Sequence, residues 1–418
     1  MGLAFQAIYP EVYPVAYELF KSGKERKEVT VLVFMKFRTR FNILESEHYL
    51  RMTELSIACA ENDYKNKLEQ HTSGHIVEDN NISRLLGLKY QKPEIKKIET
   101  FRELERKKAE ALIKSGWFNG DPGNGIFDEN TYQFVLNNSD NNIFKYILND
   151  VKLYFKENNI AWWKGKEPTG HTLSSQISCI NHLFPLRNDK KAVLALLSSF
   201  TGGFIDVLPI NTDKYLPAFI SFEQISDNDL LNEGKPARGS NCTSIDACIY
   251  AVHKNGSKWI IPIEWKYTET YNDEDKGSGF SGEIRHKRYD GLIEKSSQLK
   301  YAIKENEKNC YYYEPFYQLM RQTLWAEQMV KNKNSETITA DDYVHLHIIP
   351  QKNYDLLNKK YSCSNRNMRV TWRNCLVDKK KYLILSPGFL FNNFFRNFCK
   401  NYEELIQYLL ERYWIDYE

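Results

Sequence analysis

Apolar residues recur every three to four positions in several segments of the chain, with charged and polar residues between them. This period is typical of amphipathic helices that bury one face. Pro185 marks the expected end of the helix that starts near residue 171. The predicted helices span residues 11–21, 97–118, 143–155, 171–186 and 313–330, and residues 43–118 as a whole are predicted to be mostly helical.

Short apolar runs predict strands between these helices. The runs are residues 29–35, 214–225, 243–252, 259–267, 342–350 and 380–387. From residue 171 to residue 350 the order is therefore helix, three strands, helix, strand. A mixed central sheet flanked by helices is the natural packing for this order, so an α/β fold is predicted. A largely helical N-terminal extension is predicted to precede it.

The strands at 243–252 and 259–267 are joined by the hairpin sequence HKNGS. A two-residue Asn-Gly loop would place Asp246 opposite Trp265, on the face away from Glu264 and Lys266. A three-residue Lys-Asn-Gly loop, with its glycine left-handed, would instead place Asp246 directly opposite Glu264, with Lys266 one step along the same face. The sequence leaves both registers open.

The chain has 418 residues, of which 42% are hydrophobic, so it can bury a sizeable core. A net charge of +3 excludes a polycation, and nucleic-acid binding would need a local basic face. The eight cysteines form no CxxC pair, which favours a reducing compartment. No signal peptide is indicated, and the longest apolar runs are too short to span a bilayer. We therefore expect a cytoplasmic protein without membrane contact.

Two carboxylates on adjacent strands repel each other unless a cation lies between them. In the three-residue register, Asp246 and Glu264 would meet this condition, and Mg²⁺ prefers such oxygen ligands together with water and phosphate oxygens. Lys266 could then orient or deprotonate a water, or stabilise charge on a phosphate. Glu223, at the end of the preceding strand, is a candidate third acid. This set predicts metal-assisted phosphodiester hydrolysis, whereas a solvated strand face is the ordinary alternative.

These residues resemble the PD-(D/E)XK nuclease superfamily, which has the restriction-endonuclease-like fold. "SID" at 244–246 and "EWK" at 264–266 match its motif halves, although Ile245 stands where the motif often has proline. The segments "GHTLSSQISCINHLFPL", "FEQ", "IEWKYTE" and "YQLMRQTL" look like a group of bacterial restriction endonucleases. The resemblance implies an α-β-β-β-α-β core, Asp246 and Glu264 as Mg²⁺ ligands with Mn²⁺ able to substitute, and Lys266 as the catalytic lysine.

Several polar or basic side chains near these motifs are candidates for contacting DNA. The helix after the "EWK" strand and the helix near 171 supply some of them, and a basic run at 283–289 supplies the rest. A solvated helix face or a simple helix cap is the alternative role for each. The candidates are Gln318, Arg321, Arg285, Lys287, Arg288, Ser175 and Gln176.

The leading hypothesis is a Mg²⁺-dependent DNA endonuclease of restriction or phage-defence type. Residues 1–160 would recognise DNA or a partner, and residues 161–418 would form the nuclease domain with a C-terminal extension. A homodimer is expected, since double-strand cleavage needs two active sites, and a methyltransferase or defence subunit is a candidate partner. The alternatives are a structure-specific or RNA-directed nuclease, a catalytically silent nucleic-acid-binding module of the same fold, and a scaffold in which the charged residues form a structural ion-pair cluster.

Overall fold

A computed structural model describes residues 2–22, 29, 33, 57, 99–213, 216–238, 242–300, 310–398 and 400–414. Contacts between residues divide the chain into two compact units: Met1–Ile98 with Arg396–Ile406, and Glu99–Phe395 with Gln407–Glu418. The second unit contains the sheet and the candidate site. The predicted boundary between residues 160 and 161 divides the chain by function, into a recognition region and a nuclease domain. This division stays a prediction.

The helices begin where polar side chains cap them. Thr100 and Glu103 form a reciprocal capping box at the start of α2, and the Ser174 hydroxyl accepts the Ile177 N–H at 3.3 Å at the start of α4. None of the described helices is both long enough and apolar enough to cross a membrane. The described helices are α1 (Gly2–Lys21), α2 (Phe101–Lys114), α3 (Leu148–Glu157), α4 (Ser175–Leu183), α5 (Lys190–Ser198), α6 (Gly279–Glu294), α7 (Phe316–Lys331), α8 (Tyr354–Leu357), α9 (Met368–Cys375), α10 (Pro387–Phe398) and α11 (Glu403–Leu409).

The described strands are β1 (Gly125–Phe127), β2 (Asn130–Tyr132), β3 (Phe204–Leu208), β4 (Asn211–Asp213), β5 (Leu216–Ala218), β6 (Ile220–Gln224), β7 (Ile245–His253), β8 (Lys258–Trp265), β9 (Asp342–Tyr343), β10 (His345–Ile348) and β11 (Tyr382–Leu385). The main sheet has the order β11–β10–β8–β7–β3, with β6 also beside β7 and β9 beside β8. Strand β7 pairs antiparallel with β3, β6 and β8, whereas β10 pairs parallel with β8 and β11. The sheet is therefore mixed, as predicted.

The β7–β8 turn has the three-residue loop. The His253 N–H donates to the Ser257 carbonyl at 2.9 Å, and Gly256 adopts the left-handed conformation with φ +86°. Glycine suits this position because it has no Cβ to clash there. The register then runs from Val252 opposite Lys258 to Ala247 opposite Ile263. Its next step places residue 246 opposite residue 264, so the two-residue alternative is excluded.

Helices cover both faces of the sheet. Leu319 and Leu324 of α7 are buried in one core with Tyr250 and Ile260 of the central strands. On the other face, the Trp265 indole N–H donates to the Ser178 hydroxyl of α4 at 3.1 Å. The apolar stripes predicted for the helices at 171–186 and 313–330 thus face the sheet. The predicted α/β class, with a mixed sheet flanked by helices, is confirmed.

Two strand predictions need correction. Val29 and Val33, the described residues of the run 29–35, are helical, so the strand predicted there is wrong at these positions. A short run that is apolar on all sides suits a buried helix as well as a strand, and periodicity cannot separate them. The strand predicted over 214–225 is divided, because β5 pairs with β4 in a separate ribbon and only β6 joins the main sheet. Most of the predicted helical stretch from 43 to 98 lies outside the described residues.

Candidate active site

Three acidic residues occupy one row across neighbouring strands. Phe222 of β6 pairs with Ala247 of β7 and Gln224 with Ile245, which leaves position 223 facing position 246. The β7–β8 register adds position 264 to the same row. The main-chain N–H of Trp265 donates to Asp246 Oδ2 at 2.7 Å and fixes one side of this carboxylate. The fold therefore gathers Glu223, Asp246 and Glu264, which are far apart in the sequence.

The electrostatic couplings confirm that these carboxylates are neighbours. Burial raises the pKa of Asp246 well above its usual range, and the charges of Glu264 and Glu223 raise it further. Burial likewise raises the pKa of Glu223, with an added contribution from Glu264. Burial and mutual repulsion thus destabilise the ionised carboxylates. A bound cation would relieve this repulsion, so the site is suited to one.

Glu223 is held in a strained position. Its backbone is left-handed, with φ +47°, at the position between the pairs that Phe222 and Gln224 make with β7. Such a conformation costs a non-glycine residue about 1–3 kcal/mol and is common at functional sites. Its two carboxylate oxygens accept hydrogen bonds from the Ser244 hydroxyl at 2.7 Å and from the Gln176 amide at 3.1 Å. The carboxylate is thereby oriented from both sides.

Lys266 and Glu264 form a buried ion pair beneath helix α7. Their residues are only 6% and 1% exposed. Gln322 donates to the other oxygen of Glu264, and Lys266 donates to Gln318 Oε1 at 2.9 Å. Burial alone would lower the pKa of Lys266, but the adjacent Glu264 and other nearby groups raise it to a value well above its usual range. Lys266 is therefore a fixed cation in this arrangement.

The donor set fits Mg²⁺ in a site completed by solvent or substrate. Mg²⁺ is usually bound by one or two carboxylates, with waters and phosphate oxygens filling its octahedral shell. Within the described residues, no cluster of three or more His, Cys, Asp or Glu side chains is arranged to hold a metal ion unaided. Asp246 and Glu264 could therefore supply two ligands, and solvent or substrate would supply the others.

Two of the candidate DNA contacts lie at the site and already have protein partners. Gln176 donates to Glu223, and its own carbonyl oxygen accepts the Trp163 N–H at 3.0 Å. Gln318 bridges Lys266 and the Tyr271 hydroxyl. Ser175 is the first residue of α4, whereas the cap is Ser174. The roles of these side chains in contacting DNA stay predictions.

The basic candidates lie on two helices. Arg321 of α7 is paired with Glu233 at 3.7 Å and lies over the Tyr317 ring. Lys287 of α6 is exposed, and Arg288 is half-buried. Arg285, on the same helix, donates to the Lys276 carbonyl at 2.7 Å. Arg321 is paired within the protein, whereas Lys287 is exposed. Of these basic candidates, Lys287 is therefore the most accessible to a phosphate.

Sequence reasoning did not place three further groups at the site. Gln322 contacts Glu264 from α7, and Ser244 holds Glu223 from the turn before β7. His347 of β10 is the strand partner of Glu264, and its Nδ1 lies 2.8 Å from the Tyr382 hydroxyl. Burial lowers the pKa of this imidazole well below its usual range, so it is neutral. Only contacts between segments that are distant in sequence reveal these neighbours.

Replacing Gln322 with leucine is expected to lower the free energy of unfolding by about 1–3 kcal/mol. The substitution leaves an oxygen of the buried Glu264 carboxylate without its donor, and an unsatisfied buried acceptor costs about this much. Urea unfolding measures the change. Gln328→Leu, on the same helix but partly exposed, is the matched control and should change stability by less than about 0.5 kcal/mol. Equal losses in the two variants would contradict the assigned contact.

A comparison with protein-family models matches residues 115–414 to the family described as "Restriction Endonuclease associating with ARP". The matched range contains the whole main sheet and the three acidic residues with Lys266. Neither the curated proteins nor the solved structures include a significant match to the chain.

Proposed function

The chain belongs to the family described as Restriction Endonuclease associating with ARP, and we propose on this premise that it is a Mg²⁺-dependent DNA endonuclease of restriction or phage-defence type. The observation that carries the proposal is the row of Glu223, Asp246 and Glu264 across three adjacent strands, with Lys266 one step further along β8. Phosphodiester hydrolysis needs a cation site and a fixed positive charge near the phosphate, and this row offers both.

Asp246 and Glu264 would hold the metal ion, with Mn²⁺ able to replace Mg²⁺. When bound, the ion supplies Lewis-acid polarisation of the scissile phosphate. Lys266, kept protonated by Glu264 and held by Gln318, would stabilise the negative charge that develops on the phosphate under attack. The raised pKa of Glu223 suits a carboxylate that orients the attacking water and accepts its proton.

The topology of the core, the partners and the role of residues 1–160 are part of the same proposal. The order of α4, β6, β7, β8, α7 and β10 supports a restriction-endonuclease-like core. The further elements inserted into this order are α5, β3, β4, β5, α6 and β9. The family description names association with ARP, which makes ARP a candidate partner beside DNA, a second copy of the chain and a methyltransferase. Residues 1–160 are the proposed region for recognition or partner contact.

Incubation of the purified full chain with supercoiled and linear DNA tests the function. We expect nicking or linearisation in Mg²⁺ or Mn²⁺ and none in EDTA, because the carboxylates need the ion to act on a phosphate. Modified and unmodified DNA, single-stranded DNA and RNA serve as parallel substrates. Cleavage that continues in EDTA would contradict the metal-dependent mechanism.

The same experiment separates the alternatives. Cleavage confined to RNA or to branched DNA would favour the structure-specific or RNA-directed nuclease. DNA that is bound but never cut, in any of these forms and with either metal, would favour the silent binding module. A protein whose melting temperature is unchanged by Mg²⁺ and that ignores every nucleic acid would leave Glu264 and Lys266 as a structural ion pair.

A further inference from the structure

A tight turn beside the candidate site holds one tryptophan inward and the next one outward. Trp162 is 7% exposed and stacks on Phe155 of α3, with ring centres 3.8 Å apart and planes 15° apart. Trp163, the next residue, is 41% exposed. The turn closes when the Gly165 N–H donates to the Trp162 carbonyl at 3.2 Å, and Lys164 adopts the left-handed conformation within it. The buried ring anchors the turn, so the exposed indole is fixed in place.

The backbone of Trp163 is connected to the acidic row by two hydrogen bonds. The Trp163 main-chain N–H donates to Gln176 Oε1 at 3.0 Å, and the Gln176 amide donates to Glu223 at 3.1 Å. Through this single side chain, the position of the tryptophan is coupled to the position of the carboxylate. An exposed apolar side chain elsewhere on a surface needs no explanation, but this one borders the site at which a phosphate would lie.

The surroundings of the indole suit a nucleotide. The Phe127 ring packs against the Trp163 indole, with ring centres 5.0 Å apart and a tilt of 32°. The Lys164 ammonium lies 4.9 Å from the centre of Phe127 and 5.6 Å from that of Trp163, and it is also paired with Asp128. Lys166, two residues further on, is exposed. Aromatic rings for bases beside lysines for phosphates are the elements of single-strand recognition.

We propose that Trp163 is a stacking platform for an unpaired or extruded base of the DNA strand that enters the candidate active site, with Lys164 and Lys166 contacting its phosphates. This inference rests on the proposed nuclease function and adds a nucleotide-binding residue to it. A base stacked on a fixed indole would hold the adjoining phosphate in register with Asp246 and Glu264. Stacking tolerates any base, so the platform contributes affinity and positioning without sequence preference.

Binding of labelled oligonucleotides to the full chain in EDTA tests the platform without cleavage. The probes are a fluorescein-labelled deoxythymidine 20-mer and a 20-mer with the same backbone and no bases, and anisotropy reports the affinity. Trp163→Ala is expected to bind the thymidine oligomer about tenfold more weakly, as is typical for loss of one stacked base. Trp163→Phe, which keeps a ring, should stay within about threefold of the wild type. Neither variant should change binding of the oligomer without bases.

Tyr146→Ala is the matched control, because Tyr146 is also an exposed aromatic residue with a lysine ammonium, that of Lys145, 4.8 Å from its ring centre. This variant should bind both oligomers like the wild type. If Trp163→Ala binds the thymidine oligomer as tightly as the wild type does, the platform is overturned, while Mg²⁺-dependent cleavage would still uphold the nuclease. An equal loss of affinity for both oligomers would also overturn base stacking. A wild-type chain that neither binds nor cuts DNA would overturn both proposals.

Discussion

Asp246→Asn is expected to abolish DNA cleavage, with a loss of about 10³-fold or more, and at the same time to make the protein more stable in EDTA. The loss of activity follows because the amide is a poor substitute for a metal-binding carboxylate, and a bound metal contributes several kcal/mol to the transition state. The asparagine carbonyl can still accept the Trp265 N–H, so the β7–β8 pairing should be retained. Plasmid cleavage in Mg²⁺ measures the first effect.

The gain in stability follows from the crowding of the carboxylates. Burial, together with Glu264 and Glu223, holds the pKa of Asp246 above its value of 3.8 in an unfolded chain. An acid whose pKa is higher in the folded state than in the unfolded state lowers the free energy of unfolding as the pH rises between the two pKa values. Above the folded-state pKa this loss of stability is constant. Asp246→Asn has no ionisable group at this position, so its stability is not lowered in this way. Its melting temperature should therefore exceed that of the wild type at pH 7, and the difference should disappear as the pH falls below about 3.8.

Asp341→Asn is the control, because its expected change in melting temperature has the opposite sign. Asp341 accepts the Lys258 N–H at 2.9 Å at the start of β8 and pairs with Lys333, and these contacts hold its pKa below its usual range. Removing this charge should lower the melting temperature slightly at pH 7 and leave cleavage unchanged. Addition of Mg²⁺ should raise the melting temperature of the wild type but not that of Asp246→Asn. A wild-type protein that is more stable than Asp246→Asn in EDTA would contradict the proposed crowding.

The parts of the site that could be predicted from the sequence are those encoded by local rules. The glycine at position 256 makes a three-residue turn feasible, and the period of two along each strand then determines which side chains share a face. Asp246, Glu264 and Lys266 share a face if the three-residue turn forms. The sequence could not choose between the two turns, because both satisfy the same local pattern; the hydrogen bond between His253 and Ser257 resolves the choice.

The parts that could not be predicted depend on contacts between distant segments. Helix α5 and strand β3 occupy 190–208, where short apolar runs fit either a helix or a strand. The left-handed backbone of Glu223 could not be expected either, because non-glycine residues seldom adopt this conformation on local preference. Gln322 looks like one more polar helix residue until α7 is packed on β8. Local patterns thus identify the charged groups, whereas tertiary packing determines how each is held.

Lys266→Ala is expected to reduce cleavage by about 10³-fold and also to destabilise the protein by about 3–5 kcal/mol. The first effect removes the fixed cation that would stabilise the phosphate, and the second leaves the buried Glu264 carboxylate without its partner. The stability effect can be isolated in the double variant Glu264→Gln with Lys266→Met, which lacks both charges and keeps most of the side-chain volume. Since replacing both members of a buried ion pair by neutral side chains of similar volume is often nearly neutral, the double variant should recover most of the stability. It should not cleave DNA, because it lacks both the ammonium and the Glu264 carboxylate.

Urea unfolding and plasmid cleavage, measured on the same preparations at a temperature where every variant is folded, complete this comparison. Lys254→Ala is the control, because Lys254 is an exposed lysine in the turn at the far end of the same hairpin, and it should match the wild type in both measurements. Cleavage that persists in Lys266→Ala at the wild-type rate would place the chemistry elsewhere. Cleavage restored in the double variant together with stability would mean that neither the Lys266 ammonium nor the Glu264 carboxylate takes part in the chemistry. With its ammonium on Gln318 and its pKa raised, Lys266 has the charge and the fixed position that direct action on the phosphate requires.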